Sequence, residues 1–262
     1  MTLTLGSGPL GHAPAGSFNF SLADAPKHRL MFEAYPRRMR ALIAGHAVLD
    51  SMHGKLLYES AHLPVYYLPV DDLDEHYLEP SDHTTHCPFK GDASYWSLHV
   101  GGRVIENAVW HYPQPLEPAS WLKGYASLAA DVPDLWLAED EPVRGHLRDP
   151  YHRVDVLESS RRVKVRFKGE VVADSDRPKL LFETGLPTRA YLLRADVLPG
   201  ILARSETTSF CPYKGEASWW NLGAGKRVRA DGAWSYEAPL PEALKVAGHL
   251  CFEGEGIEVQ LA

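Results

Sequence analysis

The chain has 262 residues, a net charge of −7 and a pI near 6.0, so it has no global basic field to hold nucleic acid. Hydrophobic residues make up 45% and charged residues 23%, the balance of a soluble globular protein, and no run approaches the roughly 18–20 apolar residues of a membrane helix. Three cysteines (Cys87, Cys211, Cys251) exclude a disulfide framework, and the N-terminus lacks the basic and apolar blocks of a secretory signal; together these point to a cytoplasmic protein with reduced thiols.

In chain order, residues 1–34 are rich in Gly, Pro and Ala without periodicity, which reads as an arm that docks on the body through Phe18 and Phe20. A first domain follows over 35–138, then a linker over 139–158 carrying Pro142, Pro150, His146, Asp149, His152, Arg153 and Asp155, which reads as either a silent connector or an ordered one, and a second domain over 159–262. Val163–Phe167 alternates apolar and polar residues and meets Lys168-Gly169 before Val171-Val172-Ala173, the pattern of a hairpin. Leu180–Glu183, Ala190–Leu193, Ser218–Leu222 and Gly232–Tyr236 read as further strands. Helical periodicity is confined to Leu116–Leu122 and Pro241–Val246, after Pro-rich starts. The fold class is mainly β, with one sheet-built body per domain.

The two domains are copies. Residues 81–96 and 205–220 are identical at nine of sixteen positions, and Cys87 and Cys211 set the offset (211 − 87 = 124). A period this long is a duplicated domain, since solenoid repeats run roughly 20–50 residues. The same offset relates Gly45–Ser51 to Gly169–Ser175, Glu59 to Glu183, Tyr67 to Tyr191, Asp72 to Asp196, Trp96 to Trp220, Trp110 to Trp234 and Tyr112 to Tyr236.

The repeated Cys-Pro-aromatic-Lys-Gly segment is where chemistry concentrates. A thiol beside an ammonium favours the thiolate, so Cys87 or Cys211 is a candidate nucleophile, with His146 or His152 as base; a buried Cys anchoring a turn is the plainer reading. Lys90 and Lys214 are point charges for an anionic ligand, or partners, with Arg194, for Glu59 and Glu183. Tyr67, Tyr191, Trp96 and Trp220 are either core or a stacking wall for a flat ligand. His83, His86 and His111 accompany Cys87, but the second copy has Thr207, Phe210 and Ser235 there, and the chain has no Cys-x-x-Cys pair, so no metal site is expected. No phosphate-cradling Gly loop or serine elbow is present.

These residues resemble the domain of unknown function 427 family in its tandem form. The resemblance rests on Gly-x-x-x-Ala/Leu-Asp-Ser, on Tyr67–Asp72 and Tyr191–Asp196, on Thr-x-x-Cys-Pro-Tyr/Phe-Lys-Gly-x-Ala-x-Tyr/Trp-Trp, and on the linker Arg148–Asp155. It implies a small β-tent-like sheet domain similar to methionine sulfoxide reductase B-type proteins, without their zinc, because the paired cysteines are absent. It also implies that the linker over 139–158 is ordered. A nucleotidyltransferase-like label also attaches to the family; no acidic pair or Gly-Ser element supports it here. Val70, Phe89 and Phe210 depart from the family pattern, which implies two inequivalent copies. The expected function is binding of a small anionic or planar ligand in a cleft formed by Lys90, Lys214, Glu59, Glu183, Tyr67, Tyr191, Arg194, Trp96, Trp220, His152 and Arg153. The alternatives are a thiol-dependent enzyme using Cys87 or Cys211, and a structural or interaction module. The expected partner is that small molecule, with neither nucleic acid nor membrane; the cofactor and the oligomeric state are left open.

Overall fold

A computed structural model describes residues 3–6, 8–14, 16–21, 24–225 and 227–262. The chain divides into two compact units, Met1–Asp149 and Pro150–Ala262.

The first unit contains β1 (Leu30–Ala34), β2 (Met39–Ile43), β3 (His46–Ser51), β4 (Lys55–Glu59), β5 (Val65–Pro69), β6 (Leu78–Cys87), β7 (Gly91–Val100), β8 (Arg103–His111), β9 (Tyr125–Leu128), β10 (Leu135–Ala138) and β11 (Glu141–Pro142). Seven strands form one antiparallel sheet in the order β1-β4-β5-β9-β8-β7-β6, and β11-β10-β2-β3 form another. Strand pleating sends alternate side chains to opposite faces. Accordingly Leu98 and Trp96 pack with Met39, Ile43, Leu56 and Tyr58 in one core, while Ala93 and Tyr95 pack with Leu57, Tyr67, Tyr112 and Leu122 in another.

The second unit repeats this plan with β12 (Val154–Glu158), β13 (Val163–Phe167), β14 (Glu170–Ser175), β15 (Lys179–Glu183), β16 (Arg189–Tyr191), β17 (Leu202–Cys211), β18 (Gly215–Ala224), β19 (Arg227–Tyr236), β20 (Leu250–Phe252) and β21 (Ile257–Leu261). Its sheets run β12-β15-β16, β14-β13-β21 and β17-β18-β19-β20. The Leu68–Ala126 pairing that unites the long sheet of the first unit survives here as the single bridge Leu192–Leu250.

The β13–β14 hairpin turns on Lys168 and Gly169, both with positive φ, and β2–β3 turns on Ala44 and Gly45 in the same way. Two positive φ values make a type I′ turn, whose twist matches that of the strands. The two helical stretches expected from sequence are 3-10 segments, Glu117–Leu122 and Pro241–Val246. The basic side chains of β13 lie on its solvated side, where Lys164 and the preceding Arg162 pair with Asp174.

The N-terminal arm docks differently from expectation. Phe20 is exposed, with its ring against that of Phe18. The anchors are the buried Thr4, which donates to the carbonyl of His62, and the carbonyls of Leu10 and Gly11, which accept from Ser60 and Arg29. Short polar contacts, rather than aromatic burial, hold it down. Two stretches placed outside the repeat bodies from sequence also carry strands: β1 lies within residues 1–34, and β12 lies within 139–158.

Candidate functional site

The Cys-Pro-x-Lys-Gly segment is the turn that closes β6–β7 and, in the second copy, β17–β18. The amide of Lys90 donates to the carbonyl of Cys87, and Lys214 to Cys211, both at 3.3 Å. Proline presets φ for the second turn position, and Gly91 and Gly215, at φ of 102° and 96°, take a left-handed conformation that a side chain would strain. The carbonyl of each turn lysine then accepts from the amide of Leu116 or Leu240, which locks the turn against the chain that follows.

This geometry turns both lysines inward. Lys90 Nζ binds Glu59 Oε2, and Lys214 Nζ binds Glu183 Oε2. The other carboxylate oxygen takes a histidine: Nε2 of His28 lies 2.8 Å from Glu59 Oε1, and Nε2 of His152 lies 3.0 Å from Glu183 Oε1. Register explains why these groups meet. Leu30 pairs with Glu59 in the antiparallel β1–β4 ladder, and Val154 with Glu183 in β12–β15, so a residue two places before each strand runs alongside the glutamate. The amides of Arg29 and Arg153 fix that approach by donating to Ser60 Oγ and Thr184 Oγ1. Each unit therefore contains a buried His–Glu–Lys triad in which both carboxylate oxygens are satisfied. Such pairing is the condition under which a charge tolerates burial.

Burial would raise the Glu183 carboxyl, but the His152 hydrogen bond and the Lys214 ammonium outweigh it and hold it at about 2. Glu59 is likewise lowered: Lys90 and His28 overcome its desolvation.

The copies differ at the aromatic residue of the turn. Phe89 stacks on His28 with ring centroids 3.9 Å apart, and Tyr213 lies on His152 at 4.0 Å. Tyr213 is 4% exposed whereas Phe89 is 41% exposed. The histidine follows suit, at 2% for the His152 side chain against 12% for His28. In the first unit an open groove of about 640 Å³ reaches this point, lined by His12, Pro14, Ala25, Lys27, His28, Arg29 and Phe89.

The remaining sequence candidates divide between this site and other places. Tyr67 and Tyr191 accept hydrogen bonds at 3.1 Å from Trp110 and Trp234; burial pushes both phenols above their usual range, so they stand as neutral struts of the cluster beneath the turn. Cys87 and Cys211 pack against the same clusters, but the ammonium groups that would favour a thiolate are committed to Glu59 and Glu183. Arg153 turns outward to Asp155. Trp96 packs in the other core and stacks on His111 at 4.0 Å. Trp220 also belongs to the other core of its unit; it lies under the guanidinium of Arg194, which pairs with Glu237 at 2.6 Å and not with Glu183. His146 Nδ1 lies 2.7 Å from the carbonyl of Leu147. Among the described residues no cluster of three or more His, Cys, Asp or Glu is placed to hold a metal ion.

His28 was missed in the sequence because residues 1–34 read as an arm. The signal was present: Pro26-Lys27-His28-Arg29 precedes Pro150-Tyr151-His152-Arg153 by the same 124 residues (152 − 28 = 124).

Cys251 is fully enclosed, and burial pushes its thiol up to about 12. Iodoacetamide at neutral pH should leave Cys251 unmodified until the protein unfolds, as mass spectrometry of the digested, labelled protein will show. Labelling of Cys251 in the folded protein at the rate of Cys87 would contradict this packing.

Among the described residues no helix is long and apolar enough to cross a membrane. No curated protein matches the chain. A family model described as a domain of unknown function, DUF427, matches residues 31–139 and again 155–261, one match for each triad-bearing unit. The chain is therefore a member of the DUF427 family that carries two tandem copies of its domain.

Proposed function

We propose that the first unit binds a small anionic, planar molecule in the groove over His28 and Phe89, and that the second copy is a sealed counterpart with a structural role. The observation that carries this reading is the contrast at one position, Phe89 exposed and Tyr213 buried, on otherwise matching triads. An exposed aromatic face gives a flat ligand a platform, and Lys27 and Arg29 around it supply positive charge. Glu59 and Lys90 neutralise each other beneath the platform and hold the His28 ring in place. The turn lysines thus act as supports for the site, and the charge offered to a ligand comes from the arm and the start of β1. The three cysteines are free, which suits a reducing, cytoplasmic setting.

Calorimetric titration with a nucleoside monophosphate, an aromatic carboxylate and inorganic phosphate tests this. The two planar anions should bind, and phosphate alone should bind more weakly. Phe89→Ala should weaken the planar anions by about 1–3 kcal/mol, the usual contribution of one aromatic stack. Lys27→Ala should weaken all three. Planar anions that bind equally well to wild type and Phe89→Ala would overturn the reading.

A further inference from the structure

We propose a second, independent site in the first unit: an apolar pocket that takes a small neutral aromatic molecule. The pocket has a volume of about 390 Å³, inside the range of roughly 300–1,000 Å³ usual for small-molecule sites. Its walls are Leu63, Val65, Trp110, Leu128, Trp136 and Val143, with Pro64, Leu135 and Leu147 closing the rim.

Three observations carry the assignment. First, the walls are fixed. The amide of Val143 donates to the carbonyl of Trp136 at 2.8 Å, β11 pairs with β10, and Val143 and Leu147 pack on the core. The segment that walls the pocket therefore needs no ordering when a ligand enters, which removes one of the ordinary costs of binding.

Second, the indole, carboxylate and imidazole groups of the wall already have partners within the unit, and the hydroxyl of Tyr66, which has none among the described residues, is fully buried. Trp110 Nε1 donates to Tyr67, and Trp136 Nε1 to the carbonyl of Ala130. Asp134 accepts from the Ala44 amide and from Arg103, and His146 is bonded to the carbonyl of Leu147. What the pocket offers is ring faces and aliphatic surface. A charged guest would lose its hydration without gaining a partner, whereas a neutral ring loses little.

Third, the second copy fills the equivalent place with a flat group of its own. Val65 corresponds to Arg189, whose guanidinium lies 5.7 Å from the centre of the Trp234 ring and is held by Glu253 at 2.9 Å. Pro64 and Ala130 correspond to Thr188 and Gly254, and Trp136, which pairs with Ala41, corresponds by sheet register to Val259, which pairs with Val165, so the second indole wall is specific to the first copy. The indole that one unit covers with its own arginine stands at the wall of an open pocket in the other.

The probe is indole, titrated into protein carrying ¹⁵N-labelled tryptophan and followed by the seven indole N–H resonances. Indole should shift Trp110 and Trp136 selectively, and indole-3-acetate should bind about tenfold more weakly or worse, because its carboxylate has no partner. Val65→Arg, which transplants the guanidinium of the second copy, should abolish the shifts; Leu135→Trp, which closes the mouth, should do the same and serves if the first variant does not fold. Phe89→Ala should leave indole binding unchanged, which separates this site from the groove. No shift of Trp110 and Trp136 at millimolar indole, equal shifts in both blocking variants, or equal affinity for indole-3-acetate would each overturn the proposal.

Discussion

Replacing Lys214 by Met destabilises the second unit by about 3–5 kcal/mol, the usual consequence of removing one partner from a buried ion pair. The methionine keeps the length and apolar stem of the lysine, so the loss is electrostatic. Glu183 is left as an ionised carboxylate behind Tyr213 and beside a histidine that is almost fully enclosed, with one of its two oxygens unpaired. The double variant Lys214→Met/Glu183→Leu recovers the charge penalty, because an ion pair replaced as a whole by apolar groups is often neutral. It still strands the ring nitrogen of His152, a deficit of about 1–3 kcal/mol. Lys90→Met has a smaller effect, since Glu59 and its histidine are more exposed than Glu183 and His152. Hydrogen exchange of the β15 and β18 amides reads the second unit by itself. A loss below about 1 kcal/mol for Lys214→Met, the range of exposed pairs, would mean that Lys214 is a surface charge and would return it to the ligand.

The triad was half legible in the sequence. The duplication singled out Glu59, Glu183, Lys90 and Lys214, and it offered the lysines either as charges for a ligand or, with Arg194, as partners for the glutamates. The hairpin of β13 and β14, the Gly45 turn and the two short helices also followed from local pattern, because alternation and Gly or Pro punctuation act within a few residues. Less visible were β6 and β17, the longest polar strands. As sheet edges they are mostly exposed, and each carries a register shift, so neither shows the alternation that one buried face imposes. Arg194 illustrates the other limit. It departs from its counterpart Val70 and sits among paired acidic residues, but only the fold shows that Glu237, and not Glu183, lies within its reach. The departure at Phe89 implied inequivalent copies, but a one-atom difference of side chain does not show that Phe89 is exposed and Tyr213 buried. That contrast arises from what covers each turn.

Acidification weakens the second unit between about pH 4.5 and pH 2, and Lys214→Met flattens that dependence. Glu183 lies at about 2 in the folded chain, against an ordinary value of 4.5. A carboxyl held lower in the folded state than in the unfolded one favours folding wherever it is ionised in both. Its contribution is therefore complete above the unfolded value and disappears as the pH falls through the folded one. Asp50, Asp134 and Asp174 are lowered as well, so a bare acid transition would not identify its source. The variant does. Those aspartates are identical in wild type and in Lys214→Met, whereas the ammonium that helps to depress Glu183 is present only in wild type. The difference between the two curves of melting temperature against pH thus isolates the triad. The curves should be farthest apart near neutrality and converge below about pH 4.5, where Glu183 is protonated more readily in the variant and no longer needs a partner. Parallel curves across the range would mean that Lys214 does not hold the Glu183 carboxyl down. The buried pair would then be a contact of geometry without electrostatic consequence.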